Sequence, residues 1–222
     1  MFEFGHCTHP GLRRRFNEDS YGIDAASGLF VVVDGMGGPG YGEAIAALAR
    51  EEALRAARQG MRLDQALRCA AAVVEQWLAS HPAAHPAGVA AALLRLHETD
   101  FEIAWAGDCT VLLGGSDPAR VASAAVLPAP ADDACESAAT ARLGLLPARP
   151  IAIGLRMGRL RCPASILLCS DGAIEATTVA GRQRALTDHN LGAQEAVEIL
   201  LLEALAQQAR DNLTAILVRL RR

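Results

Sequence analysis

The 222-residue chain contains no lysine; all 21 of its basic residues are arginine. That absence removes the phosphate-binding lysine of P-loop proteins, the strand lysine of protein kinases and every mechanism that needs a Schiff base. Aromatic residues are scarce at 4 % of the chain, while alanine occurs 45 times. The skew toward Ala and Arg reads as codon bias rather than chemistry. Net positive charge is missing too: with a formal charge of −4 and a pI near 5.9, there is no global basic field to hold nucleic acid or an anionic membrane. No apolar run approaches the length of a membrane span, and MFEFGHCTHPG has no basic segment leading into an apolar stretch. Neither a span nor a secretory signal is expected, and the chain is placed in the cytoplasm. No CxxC pair occurs among Cys7, Cys69, Cys109, Cys135, Cys162 and Cys169, so these are expected as free thiols rather than zinc ligands or disulfides. His6, His9, His81, His85 and His97 show no metal-ligand spacing, and the glycine-rich loop from Gly35 to Gly42 lacks the GK[ST] ending of a nucleotide-binding loop.

What is present suits a folded core, since 51 % of the residues are hydrophobic and 21 % charged. A single domain over residues 1–222 is expected. Gly28 to Asp34 (GLFVVVD) reads as a buried strand feeding a glycine loop. Ala44 to Gln59 and Leu63 to Ser80 carry apolar residues at helical spacing, which predicts an antiparallel helix pair broken at Gly60 and stopped at His81-Pro82. Gly88 to Leu96, Phe101 to Ala106, Thr110 to Leu113 and Arg120 to Val126 are β-prone runs spaced as in an antiparallel meander. Leu127 to Arg149 is rich in Ala, Pro and Asp and reads as a surface excursion with a weak helical run at Asp132 to Leu143. Ser165 to Cys169 predicts another buried strand, Ala193 to Gln208 a helix and Leu213 to Leu220 a closing strand. The order of elements implies an α+β fold with helices packed on sheet.

The aspartates stand in informative places. Asp34 follows FVVV, Asp108 follows IAWAG, Asp171 follows ILLCS and Asp211 precedes LTAILV, so four acids sit at the ends of apolar strands. Any one Asp-Gly pair is an ordinary turn device. Four carboxylates at the edges of core strands need pairing or a metal, and oxygen-only ligands suit Mg²⁺ or Mn²⁺. Cys109 and Cys169 flank these acids and are expected as packed neighbours, because thiolates suit softer metals.

Arg14 with Asn17-Glu18-Asp19-Ser20, VVVDGMGG with Gly42-Glu43, AGDC at 106–109, CSDG at 169–172 and DNLT at 211–214 together resemble the ordered motifs of the metal-dependent (PPM, type 2C) Ser/Thr protein phosphatases. That resemblance implies a four-layer α-β-β-α sandwich with a binuclear Mn²⁺ or Mg²⁺ centre at the sheet ends. It implies that Asp34 bridges the two ions, that the Gly35 carbonyl binds the second, and that Asp171 and Asp211 hold the first. Asp19 and Glu18 would act through metal-bound water, with Glu18 and Asn212 standing behind the direct ligands. Asp108 resembles the ligand of a third, weaker site that shares Asp171, and Arg14 matches the phosphate-binding arginine. The implied reaction is hydrolysis of phosphoserine or phosphothreonine by a metal-activated water. A phosphoprotein substrate, opposition to a Ser/Thr kinase and a monomeric state are expected with it; a catalytically weak, partner-binding version of the domain is the alternative.

The chain departs from the family pattern in several places. Met36 stands where many members have a histidine, GDSR becomes Gly107-Asp108-Cys109-Thr110, and the GTT strand becomes Ala87-Gly88-Val89-Ala90. A DHS motif is missing between Asp108 and Asp171, which implies a shortened or rebuilt flap near residues 127–150. Leu186-Thr187-Asp188-His189-Asn190 imitates DHS but follows CSDG, and reads as a structural loop. Arg13 and Arg15 read as a solvated edge, since only Arg14 of that run has a motif position.

Overall fold

The organising element is β3 (Leu29–Met36), whose first seven residues are all buried. Its odd-numbered side chains Leu29, Val31 and Val33 meet one apolar cluster and its even-numbered Phe30 and Val32 meet another, as strand alternation requires when both faces are covered. The computed structural model describes residues 2–37, 40–84, 86–115 and 152–221. These form two antiparallel sheets and five α-helices.

The five-stranded sheet runs β2 (Asp19–Asp24), β3, β4 (Gly88–His97), β5 (Asp100–Ala106) and β7 (Gly154–Arg159). The four-stranded sheet runs β1 (Phe2–His9), β9 (Leu213–Leu220), β8 (Ala164–Cys169) and β6 (Thr110–Gly115). Phe30, Ile103, Ile166 and Ile216 belong to the core between the sheets. Helices α1 (Tyr41–Arg58) and α2 (Leu63–Ser80) cover the outer face of the first sheet. Helices α3 (Asp171–Ala176), α4 (Val179–Thr187) and α5 (Ala193–Ala206) cover the outer face of the second. Three apolar interfaces between four layers give the α-β-β-α sandwich that the sequence implied.

The expected meander holds for β4 and β5, which pair directly. β6 departs from it, pairing with β8 in the other sheet. Gly107 at φ 80° turns the chain between them, and β6 can bury both faces there: Val111 lies in the inter-sheet core and Leu112 in the core under α5. Helix α1 begins at Tyr41 rather than Ala44, with Gly40 at φ 83° as its N-cap. The expected strand at Arg120 to Val126, the helical run at Asp132 to Leu143, the surface excursion, the flap, Cys135 and His85 lie outside the described residues.

Two arginines, Arg95 partly buried and Arg219 fully buried, tie helix ends to the sheets. Glu102 on β5, 6 % exposed, accepts from the Leu63 backbone N–H at the start of α2 and from Arg95 on β4, both at 2.7 Å. Arg95 also donates to the carbonyls of Ala57 and Met61 at the end of α1, so one ion pair serves orphan groups of both helix termini. Arg219 is fully buried on β9 and donates to the carbonyls of Leu191 and Ala185, tying the α4–α5 connection to the second sheet. Among the described residues no helix is long and apolar enough to cross a membrane.

Candidate metal centre

The acids gather at one end of the sandwich, between the sheets. Asp34 continues the inward-facing row of Phe30 and Val32, and Asp19 that of Tyr21 and Ile23. The two aspartates are direct cross-strand partners of β2 and β3. From the second sheet come Asp171, which opens α3 after β8, and Asp211, just before β9. Asp108 enters from the β5–β6 turn.

Asp34, Asp108 and Asp171 each offer a carboxylate oxygen within 4.8 Å of the others. Carboxylates this close repel one another when charged, and a divalent cation between them relieves the repulsion. The donors are oxygens alone, which fits Mn²⁺ or Mg²⁺. Asp211 lies at the rim and accepts from Arg14 Nη2 at 2.8 Å. That hydrogen bond raises the guanidinium pKa, with the charges of Asp211, Glu18 and Asp34 adding to it against burial.

Asp19 shows the electrostatic pressure most directly. Burial pushes its carboxyl up from 3.8 to about 7; hydrogen bonds to Thr214 and Ser170 pull the other way, and the charges of Asp171 and Asp211 add to the rise. Ser170 Oγ donates to Asp19 Oδ2 at 2.8 Å and accepts the Thr214 N–H at 3.0 Å, so one hydroxyl bolts β2 to the opposite sheet. Asn17 accepts the Asp19 N–H at 3.2 Å and donates to Thr8 Oγ1 at 2.9 Å, whose hydroxyl meets that of Thr214 at 2.8 Å. Ser170, Thr8 and Thr214 are positioning residues that the sequence reading did not assign. Two stand inside the CSDG and DNLT motifs, which is the signal that could have found them. Thr8 has none, because its role depends on its pairing with Thr214 across β1 and β9.

Gly35 and Gly42 are small because Glu18 presses on both. A Cβ on Gly35 would lie 2.3 Å from the Gly42 carbonyl oxygen and 2.7 Å from that of Glu18. One on Gly42 would lie 2.5 Å from the Glu18 carboxylate. The Glu18 carboxyl is raised above its ordinary value, chiefly by burial, while Arg14 and the Gly42 backbone hydrogen bond oppose the shift. Asn212 organises the same region: its Oδ1 accepts the Glu18 N–H at 2.8 Å, and its Nδ2 donates to the carbonyls of Pro10 and Phe16, each at 2.9 Å.

Cys109 and Cys169 are buried beside the acids. Burial raises both thiols, Cys109 further under the charges of Asp34, Asp108, Asp19 and Asp171, and Cys169 to about 12. Both therefore stay protonated near neutral pH, as packed neighbours do. Cys7, Cys69 and Cys162 are free thiols as well. Asp188 to Asn190 follow α4 as a short connection: Asp188 Oδ1 accepts the Asn190 N–H at 3.0 Å, a local turn bond.

Fold and acid arrangement together define the class: the chain has the α-β-β-α fold of the metal-dependent serine/threonine protein phosphatases. No protein-family model matches the chain and no curated protein matches it in sequence. Among solved structures it is similar to the serine/threonine phosphatase PstP/Ppp of Mycobacterium tuberculosis, at 18 % identity and TM-score 0.78 over 100 % of this chain and 99 % of that one. It is similar to PppA, described as a key regulatory component of the T6SS in Pseudomonas aeruginosa, at 25 % identity and TM-score 0.78 over 98 % and 97 %. The catalytic domain of PstP in complex with two manganese ions matches at 19 % identity and TM-score 0.77 over 100 % and 99 %.

Proposed function

We propose that the chain is a metal-dependent protein phosphatase, one domain over residues 1–222, that hydrolyses phosphoserine and phosphothreonine in proteins. The observation that carries this reading is the convergence of Asp34, Asp108 and Asp171 within 4.8 Å, beside Arg14, at the inter-sheet end of a fold shared with serine/threonine phosphatases. Asp34, Asp171, Asp211 and the Gly35 carbonyl would hold two Mn²⁺ or Mg²⁺ ions, with Asp19 acting through water and Asp108 serving a third ion together with Asp171. When bound, the ions supply Lewis acidity that lowers the pKa of water and offsets phosphoryl charge.

The remaining work falls to the chain's own groups. Arg14 is half exposed at the rim, and its guanidinium fork can leave Asp211 for two phosphoryl oxygens, fixing the phosphate against the acids. Asp19 is held by Ser170 Oγ at 2.8 Å, and its carboxylate would orient the attacking water and accept its proton. Met36, where many members have a histidine, offers no group to protonate the departing seryl or threonyl oxygen, so water or another residue would serve. PstP, a structural neighbour, is described with two manganese ions, which supports a two-ion centre. The weak, partner-binding alternative is not favoured: the similar solved structures are serine/threonine phosphatases, one of them with two manganese ions. A phosphoprotein made by a Ser/Thr kinase, a monomeric state and a cytoplasmic setting complete the reading.

The test is Mn²⁺-dependent hydrolysis of p-nitrophenyl phosphate and of a phosphothreonine peptide. Wild type is expected to turn over both, with Asp34→Ala and Asp171→Asn at background. A wild-type rate equal to that of Asp34→Ala with Mn²⁺ present would overturn the reading.

A further inference from the structure

The run Arg13-Arg14-Arg15 lies on an exposed loop at the rim of the acid cluster. The five residues from Leu12 to Phe16 are all exposed, yet they stand on a fixed base. Asn212 Nδ2 holds the Pro10 and Phe16 carbonyls on either side of the loop. The Leu12 N–H donates to the Ala209 carbonyl at 2.9 Å, and Gly11, at φ 78°, packs against the Asp211 carbonyl where a Cβ would come within 2.1 Å. The middle residue, Arg14, reaches the rim acid Asp211 at 2.8 Å. Its neighbours do not turn inward with it: among the described residues Arg13 has no hydrogen bond or ion pair, and Arg15 lies over the Phe16 ring at 5.5 Å. Arg210, also exposed, adjoins the loop through Asp211. Leu12 and Phe16, 52 % and 43 % exposed, frame the arginines with apolar surface.

On a chain with net charge −4, this is a local cationic and apolar edge beside an acidic cleft. We propose that the Leu12–Phe16 loop is the docking edge for the substrate chain and selects phosphorylated segments with Asp or Glu next to the phosphoresidue. The proposal rests on the phosphatase reading and adds the substrate class. A phosphate placed at Arg14 brings the flanking residues over Arg13 and Arg15, whose planar forks match carboxylates. Phe16 and Leu12 give the same segment a surface for its aliphatic parts.

The experiment compares two phosphothreonine peptides, one flanked by acidic residues and one by Ser and Ala, in the wild type and in Arg13→Gln/Arg15→Gln. Hydrolysis with Mn²⁺ is followed for both peptides and for p-nitrophenyl phosphate, and fluorescence anisotropy of the labelled peptides measures binding separately. The wild type is expected to prefer the acidic peptide about tenfold in kcat/KM and in affinity at low ionic strength, with the preference shrinking as salt is added. The double variant is expected to lose that preference while hydrolysing p-nitrophenyl phosphate within about twofold of wild type, and Arg13→Lys/Arg15→Lys to retain most of it. Equal handling of the two peptides by wild type, or a preference that survives in the Gln variant, overturns the proposal. If wild type hydrolyses nothing, the phosphatase reading fails by itself and the anisotropy comparison still decides the loop's role.

Discussion

Glu102 and Asp19 are both acids taken out of water, and their surroundings differ in kind. Glu102 meets a guanidinium and a helix N–H at 2.7 Å each, so its charge is answered by its own chain. Asp19 sits across the β2–β3 ladder from Asp34, near Asp171 and Asp211, and its carboxyl is driven to about 7. The first cluster is a closed structural joint. The second is a set of acids pressing on one another, a repulsion that a divalent cation would relieve. Burial alone does not separate a structural acid from a functional one; the sign of the neighbouring charge does.

The contrast can be broken from either side. The largest effect is expected at the metal centre, where Asp34→Ala or Asp171→Asn should lower Mn²⁺-dependent kcat/KM by about a thousandfold or more, measured by steady-state kinetics. The same variants should not melt below the metal-free wild type, because each removes a like charge. Glu102→Ala should do the reverse, costing about 1–3 kcal/mol in urea denaturation by leaving the Leu63 N–H and one arm of the partly buried Arg95 without an acceptor, with kcat on p-nitrophenyl phosphate retained in the folded fraction. Asn212→Ala should cost about 1–3 kcal/mol through the unsatisfied carbonyls of Pro10 and Phe16 and the Glu18 N–H, and should raise KM as Arg14's loop loosens. The smallest effect is the pH dependence of the metal-free protein. The folded-state pKa of Asp19 is raised, so its contribution to stability is full below about 3.8 and is lost as pH rises through about 7. Melting temperature in EDTA should therefore fall across that window on account of this group, less steeply in Asp19→Asn, and Mn²⁺ should recover it most at the high-pH end.

The sequence was readable where periodicity was strong. β3, β4, β5, β8 and β9 and helices α1, α2 and α5 follow from apolar runs buried on one or both faces. β1, β2 and β7 did not: unlike β6, an edge strand that buries Val111 and Leu112 on opposite faces, DSYGID is half-buried throughout and GLRMGR is mostly exposed. α3 and α4 are short, with few large apolar residues, and α3 opens inside CSDG at Asp171. The strand-end aspartates were legible because a charge beside a core strand is conspicuous in one dimension. The hydroxyls that hold Asp19 were not, since Thr8 and Thr214 meet only when strands 206 residues apart pair. The convergence of Asp108 with Asp34 and Asp171 is likewise a product of the β5–β6 crossover, which brings a turn of one sheet against the other.

The most direct test of the cation centre is a Mn²⁺ soak of crystals with an anomalous difference map. Anomalous density beside Asp34, Asp108 and Asp171, absent in crystals of Asp34→Ala, is the expected result. No density there at millimolar Mn²⁺ would contradict the view that these acids are gathered to hold metal.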